Sequence, residues 1–431
     1  MTFSKNTLSN IVAPLVLLLI SGIIIFYKFP LIPQNVSLDE AEFIRLAQSL
    51  KNSPYTPYSQ LATGHATLYF YILLASIKIF GTTVFAVRFP SALFGVIDVV
   101  LIYFVFKLII ERLAKLSIIL QTGIPFLMAF TFATMRWYFN FARFGFEAST
   151  VLFFELFGLL SYLLFRKYKH FGFLVTTGVL VGLSYNSYTP GRIFFILPLI
   201  MMIFDFWKEK MGKKEIAKQL LALLIPFVIF TAPLNVYFTK HDDNRIYEQF
   251  YLQNEQLSIQ EKTTFLGQNI AKVSGMFFFK GDMNGRHNYP GKAMLNPLLG
   301  LLFVFGFAIN LYKWKKFSHR LFLLYFAIGI LPPLLTYPWE NPNSLRAVTV
   351  LPAVAFFVGQ SLLLISKIPI NKTYLFYGLF IMVSLSAIYE IRTYFVFQSL
   401  VFPASFEIHQ NMLQPYLDGN YLFDPEKLKS L

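Results

Sequence analysis

The sequence predicts an all-α polytopic integral membrane protein that crosses the bilayer about eleven times. Three observations lead there. The chain of 431 residues is 56% hydrophobic and only 14% charged. Apolar runs of span length recur from one end to the other. The basic residues gather in short stretches between those runs, where they act as topology signals. The 51 Phe and 24 Tyr suit lipid-facing surfaces and interfacial belts. The net charge of +15 sits in the short loops, which argues against nucleic acid as a partner. The absence of Cys excludes a disulfide framework, thiol catalysis and thiolate-bound metal.

Lys5 precedes an apolar run from Ile11 to Phe26, and the Tyr27-Lys28-Phe29-Pro30 that follows offers no small-residue cleavage site. This reads as an uncleaved first span with a cytoplasmic N-terminus. The run from Ala66 to Phe80 decides the topology. Counted as a span, it turns Arg166 to His170, Lys208 to Lys218 and Lys313 to Arg320 outward, against the positive-inside rule. It is short for a crossing and Lys78 interrupts its end, so it is expected to lie in the outer interface. The spans then run over about 11–28, 88–107, 118–134, 148–165, 171–187, 192–206, 219–238, 293–312, 321–337, 347–365 and 374–390. Four parts follow: a membrane module over 1–238 with its outer loop 29–87, a large outer loop 239–292, C-terminal spans 293–390, and an outer-face tail 391–431. Within the large loop, Thr263 to Lys280 is expected to form a second interfacial helix.

This topology places Asp39, Glu40, His65, Arg88, Arg136, Arg143, Glu147, Arg192, Arg286, His287, Glu340 and Arg346 on the outer face. Arginine there does nothing for topology and is well suited to binding phosphate through two parallel hydrogen bonds. Asp39 and Glu40 are adjacent carboxylates at a membrane edge, a costly placement. Their local pattern also has a structural account. Ser37 and Glu40 have capping-box spacing, and Asp39 falls in the first turn of an amphipathic helix. Gly281 to Gly291 is turn-rich with several candidate ligand contacts, or an ordinary surface turn before a span. Asp98 and Glu155 lie inside spans, and the sequence assigns them no role.

The order of these features resembles the GT-C membrane glycosyltransferases, in the branch holding protein O-mannosyltransferases and the lipid A aminoarabinose transferase. An acidic pair stands in the first outer loop, as Asp39-Glu40. A His-containing turn, Gly64-His65-Ala66, leads into an apolar interfacial helix. The pattern A-x-R-x-P-S-A-L-x-G appears as Ala86 through Gly95. The second outer loop carries Ala142-Arg143 and the acid Glu147, and a late span opens on Leu345-Arg346-Ala347. The resemblance is good over residues 10–200 and loose beyond. It departs in the Ala-Thr after His65, where prolines are usual, and in Glu147, where Asp is usual.

The resemblance implies a polyprenyl-phosphate-linked sugar donor and inverting transfer to a hydroxyl of a lipid, protein or glycan acceptor. The expected location is the extracytoplasmic face of the plasma membrane. The residue chemistry agrees, since a phosphate leaving group asks for positive charge and the acceptor hydroxyl asks for a carboxylate base. Asp39 is the expected base, and Glu40 is either its structural partner or an acceptor ligand. Glu147, with Arg143 one turn before it, would position the acceptor or hold a divalent ion. Magnesium or manganese suits such an oxygen-only site, although nothing in the sequence demands a metal. Arg88, Arg286 and Arg346 are expected at the donor phosphate, with Arg192 and His287 nearby. His65 is either a phosphate contact or a structural hydrogen-bonding residue. Other classes remain open: a transporter or flippase of a lipid-linked sugar, and a polysaccharide polymerase or ligase. The absence of inverted repeats and the gathering of polar residues on one face favour an enzyme.

Overall fold

The computed structural model describes residues 8–111, 117–209 and 212–418. The flank around Lys5, residues 112–116 and 210–211 in two short loops, and the end of the tail lie outside those residues. The elements are α1 (Ala13–Phe26), α2 (Leu38–Ser49), β1 (Tyr58–Ser59), β2 (His65–Ala66), α3 (Leu68–Phe80), α4 (Val84–Ile110), α5 (Ile118–Thr134), α6 (Arg136–Ala142), α7 (Ala148–Tyr168) and α8 (Phe171–Tyr185). They continue as α9 (Ile196–Glu209), α10 (Lys213–Phe238), α11 (Asn244–Gln249), α12 (Ile259–Met276), α13 (Pro297–Tyr312), α14 (Phe317–Leu335), α15 (Leu351–Ile365) and α16 (Lys372–Arg392). Every expected span holds a helix. With their flanking turns, eight are long and apolar enough to cross a membrane. The other three, α5, α8 and α13, are shorter, at 17, 15 and 16 residues.

The core is built around α15, which is buried on every side from Leu351 to Leu363. A helix apolar all round belongs inside a bundle. Helices α5 and α13 pack on it, and α4 joins α1, α5 and α7 into one layer. Towards the edge, α8 lies between α7 and α10. The outer side of α10 exposes Ile225, Val228, Ile229 and Val236, a surface suited to lipid.

The Arg-x-Pro-Ser stretch opening α4 ties the outer end together. Pro90 has no N–H, so the Ala86 carbonyl four residues earlier loses its helical partner. Ser76 of α3 fills the gap, donating to Ala86 O at 2.6 Å and fixing α3 against α4. Ser91 reaches the second outer loop, donating to Phe146 O at 2.7 Å and accepting from Phe146 N at 3.2 Å. At Gly95 a β-carbon would stand 2.5 Å from that of Ala142, so only glycine lets α6 lie this close.

Of the two helices expected in the outer loops by their capping and apolar pattern, one shifts. The first outer loop forms α2 with the expected capping box: Glu40 N donates to Ser37 Oγ and Ser37 N to the Glu40 carboxylate. The second interfacial helix begins at Ile259, four residues earlier than the pattern suggested, because Ser258 and Glu261 form another capping box there. It ends at Met276. Its inner face, Asn269, Val273 and Met276, packs on α14, while Ile259, Leu266 and Ile270 face out. The tail returns to the first outer loop, where Ile408 bridges to Val36 and Glu407 accepts from Leu38 N at 3.1 Å.

Placing α3 in the outer interface puts both of its ends outside. Thr63 and Thr83 are exposed, and the native chain has no Cys to give background. Single cysteines at both positions are expected to react with an impermeant thiol reagent in intact cells. Reaction at position 83 only after permeabilisation would make α3 a crossing.

Candidate active site

The two adjacent carboxylates of α2 have opposite surroundings. Glu40 is fully buried and accepts four hydrogen bonds: Arg88 Nε at 2.7 Å, Arg88 Nη2 at 2.9 Å, Gly145 N at 2.9 Å and Ser37 N at 3.0 Å. Burial alone would raise its pKa, but Arg88 and the backbone donors together hold it below the usual carboxylate value. Asp39 is 46% exposed in its side chain and has one partner, Arg286 Nη1, at 2.6 Å. One carboxylate is enclosed by the fold and the other is open to chemistry.

The arginines sort in the same way. Arg88, expected at a phosphate, is 0% exposed and engaged at all three nitrogens, since Nη1 and Nη2 also donate to the carbonyls of Pro33 and Asn35. The expected pairing of Arg143 with Glu147 does not form. Helix α6 ends at Ala142 and α7 begins at Ala148, so no helical turn joins them. Arg143 instead donates to Ile24 O at 3.0 Å and Ile32 O at 2.8 Å, and to the Tyr394 hydroxyl at 3.3 Å. It thereby caps the last turn of α1, whose carbonyls lack helical partners. Arg192 is paired with Asp243 at 2.5 Å, and Asp243 also accepts from the Tyr58 hydroxyl at 2.9 Å. His287 contacts buried Asp282 through Nδ1 at 3.0 Å, and Asp282 further accepts from Ser344 N at 2.8 Å. Arg346 pairs with Glu340, leaving its Nη1 buried and unpartnered.

His65 and Glu147 meet across the two outer loops. The β1–β2 hairpin presents His65, with Ser59 opposite it. Before it, Gly64 has φ +90°, and the Tyr58 hydroxyl fills the place of a β-carbon. His65 Nδ1 lies 2.7 Å from Glu147 Oε1. Arg245 Nη1 lies 3.0 Å from Nε2 and 2.6 Å from Nδ1. Glu147 and the Ala62 carbonyl only accept and the Arg245 guanidinium only donates, so the imidazole is shared among an acceptor at each ring nitrogen and one cation. Burial and then Arg245 lower the His65 pKa, against the opposing pull of Glu147 and of the Ala62 carbonyl, 2.9 Å from Nε2. Glu147 Oε2 is buried with no partner.

Arg245 and Tyr188 were not singled out from the sequence. Tyr188 is 4% exposed, and the charges of Arg245, Glu147, Arg346 and Asp39 all act on its phenol. The Arg245 guanidinium lies 5.6 Å from its ring, so the phenol stands beside the His65–Glu147 contact. Deeper in the bundle, Glu155 accepts from the Tyr325 hydroxyl at 2.7 Å, and Asp98 is fully buried beside Tyr138. Among the described residues no three His, Asp or Glu side chains converge on one point. Magnesium or manganese asks for about six oxygen ligands. The carboxylates here are divided among Arg88, His65 and Arg286, so the residues present do not fit such an ion.

Comparisons with known proteins agree with this architecture. Residues 64–235 match the family described as dolichyl-phosphate-mannose-protein mannosyltransferase. No curated protein sequence matches the chain. The fold is similar to that of the Archaeoglobus fulgidus oligosaccharyltransferase AglB, solved with an inhibitory peptide and a dolichol-phosphate. The TM-score is 0.54 at 14% identity, over 92% of this chain and 56% of that one. It is also similar to ArnT from Cupriavidus metallidurans bound to undecaprenyl phosphate, with a TM-score of 0.50 at 11% identity, over 93% of this chain and 78% of ArnT. This chain therefore spans little more than half the length of the archaeal transferase. The GT-C fold expected from the ordered motifs is the fold observed.

Two measurements test the geometry. Glu40→Gln leaves Arg88 buried without its counter-charge and is expected to cost about 3–5 kcal/mol of stability. An unchanged Tm would show that the pair is dispensable. His65 gives a pH signature. Below about pH 6.5 the unfolded chain takes up a proton that the folded protein resists. Stability is full above that pH and falls as pH drops towards the lowered folded pKa. The Tm should decline on going from about pH 7.5 to about pH 5.5, and decline less in His65→Gln. Parallel Tm profiles for the two proteins would remove His65 as the cause.

Proposed function

We propose that this chain, built on the GT-C membrane scaffold, transfers a sugar from a polyprenyl-phosphate-linked donor to an acceptor hydroxyl on the outer face of the plasma membrane. The observation that carries the reading is the contrast between the adjacent carboxylates. Glu40 has no oxygen to offer, while Asp39 stands half-exposed beside a cation. The match over residues 64–235 and the shared fold support the reaction class. AglB and ArnT were solved with polyprenyl phosphates, which supports the donor class.

In this reading Asp39 takes the proton of the acceptor hydroxyl as its oxygen attacks the anomeric carbon. The new glycosidic bond forms on the face opposite the donor phosphate. The bond from the anomeric carbon to the phosphate oxygen breaks with its electron pair, so the configuration inverts. Arg286 and Arg346 stabilise the departing phosphate monoester. Arg88 leaves the phosphate set because every nitrogen serves the fold, and with Glu40 it becomes the frame that fixes Asp39. Glu147, held by His65, faces the reacting groups with its free oxygen.

The test uses full-length protein with an undecaprenyl-phosphate-linked sugar and cell membranes as the source of acceptor. The readout is release of undecaprenyl phosphate. Asp39→Asn is expected to lower turnover by roughly 10²–10⁴, with donor binding and protein level near native because the lost interaction belongs to the transition state. Retention of most activity would move the base away from Asp39. Arg286→Lys keeps the charge but loses the guanidinium geometry, and donor affinity should fall by about 1–3 kcal/mol. Unchanged affinity would remove Arg286 from the phosphate site.

A further inference from the structure

A cleft of about 340 Å³ opens at the outer edge of the bundle, between the start of the first outer loop and the C-terminal tail. One wall is the stretch from Leu31 to Asn35, which follows α1. The other is made by Ser399, Phe402, Pro403 and His409, which follow α16. Two contacts join the walls: the rings of Tyr27 and Phe395 meet edge-on at 5.3 Å, and Val36 bridges to Ile408. Each wall begins where a span leaves the bilayer. Beside them Tyr27, Val396 and Leu400 are exposed, a surface suited to lipid.

The cleft also stands next to the half-exposed carboxylate of α2. Asn35 and Asp39 are four residues apart, which keeps their Cα atoms within about 14 Å. Arg88 fixes the same wall through the carbonyls of Pro33 and Asn35. On the tail side, Gly285, the neighbour of Arg286, packs so closely on Ser405 that a β-carbon would collide with its hydroxyl. The lining is of two kinds. Leu31, Ile32 and Phe402 supply apolar surface, and no Lys, Arg, Asp or Glu lines the cleft. The side-chain amides of Gln34 and Asn35 have no partner among the described residues. An amide both donates and accepts, which suits a hydroxyl and offers nothing to a net charge. A polysaccharide arriving from water would leave the apolar surface unused, and an anionic headgroup would find no cation in the lining. A neutral lipid uses both kinds of surface, its chain against the apolar side chains and its hydroxylated headgroup at the amides.

We infer that this cleft seats the acceptor, and that the acceptor is an uncharged, hydroxyl-bearing lipid of the outer leaflet whose headgroup reaches Asp39 while its chain stays in the bilayer. This rests on the transfer reaction proposed above and names its acceptor class. Gln34 and Asn35 are positioning residues for the headgroup, and the tail is a determinant of which acceptor is taken.

The experiment has one arm that needs no activity. A benzophenone side chain is placed in full-length protein at Gln34, in the cleft, and separately at Leu400, on the lipid face beside it, and cell membranes are illuminated. Mass spectrometry of the adducts is expected to show one neutral, hydroxylated lipid class enriched at position 34 over position 400. The same lipid mixture at both would make the cleft ordinary lipid surface, and a protein or polysaccharide adduct at position 34 would give the acceptor another chemistry. Either result overturns the inference and leaves the proposed reaction intact. The second arm supplies an undecaprenyl-phosphate-linked sugar with the organic-solvent lipid extract of those membranes, or with the residue that extraction leaves. Undecaprenyl phosphate should be released with the extract. Ser399→Phe fills the cleft and is expected to raise KM for the extract by about tenfold. Gln34→Ala removes one exposed amide and should raise it by about two- to tenfold. Both should keep native donor affinity, and Gln34→Ala carries the test if Ser399→Phe melts early. Native KM in both variants, or release only with the extracted residue, would overturn the inference. Release with neither would overturn the transfer reaction and the acceptor role with it.

Discussion

The buried Glu40–Arg88 pair is the contact on which the outer half of the molecule depends. Removing two charges from water is costly, and such a pair is stable only when its remaining hydrogen-bonding capacity is filled. Here it is filled from several directions. Glu40 gathers the start of α2, α4 and the Gly145 backbone of the second outer loop. Arg88 adds two carbonyls of the first outer loop and faces the ring of Phe406 at 5.3 Å. One ion pair thus indexes two loops, one span and the C-terminal tail to a common point. Its contribution is the uniqueness of that arrangement more than net stability.

Asp39 inherits its position from this arrangement. It precedes Glu40 in the first turn of a helix whose neighbouring side chain is fixed on four sides. A side chain carried by a rigid element keeps its geometry better than one on a free loop, and preorganised charge is worth most where water is scarce. Glu407 adds to the same end by accepting from Leu38 N, so the tail too helps to hold the start of α2.

The helices were legible in the sequence because apolar runs of span length and capping boxes are local signals. Every expected span holds a helix, and α2 starts where Ser37 and Glu40 said it would. The sorting of the arginines was not legible. Arg88, Arg143 and Arg286 all stand at outer span edges in sequence. Which one is free depends on carbonyls it meets far along the chain, such as the Ile24 carbonyl beneath Arg143. The conspicuous Arg-x-Pro-Ser stretch signalled a site and turned out to be largely its scaffold, because Pro90 frees a carbonyl that only Ser76 of another helix satisfies. Arg245 and Tyr188 had no local signal at all. Arg245 meets His65 from 180 residues away, and Tyr188 looks like any turn tyrosine until the charges around it are assembled.

The remaining geometry follows from the shape of a guanidinium. Arg286 uses Nη1 for Asp39 and Nε for Asn284 Oδ1 at 3.4 Å, and no described residue takes Nη2. The planar fork holds its terminal nitrogens in fixed relation. A phosphate oxygen bound at Nη2 would therefore stand at a set distance from the Asp39 carboxylate. In an inverting transfer the base and the leaving phosphate lie on opposite faces of one sugar ring, so their spacing must match that ring. A lysine in this place would supply the charge without the spacing, and a flexible loop would supply neither. Arg286 is itself steadied, since Asn140 of α6 donates to its carbonyl at 2.9 Å and Asn284 accepts from its backbone N–H. The large outer loop is thus joined to the membrane bundle at the residue whose fork would set the distance between base and phosphate.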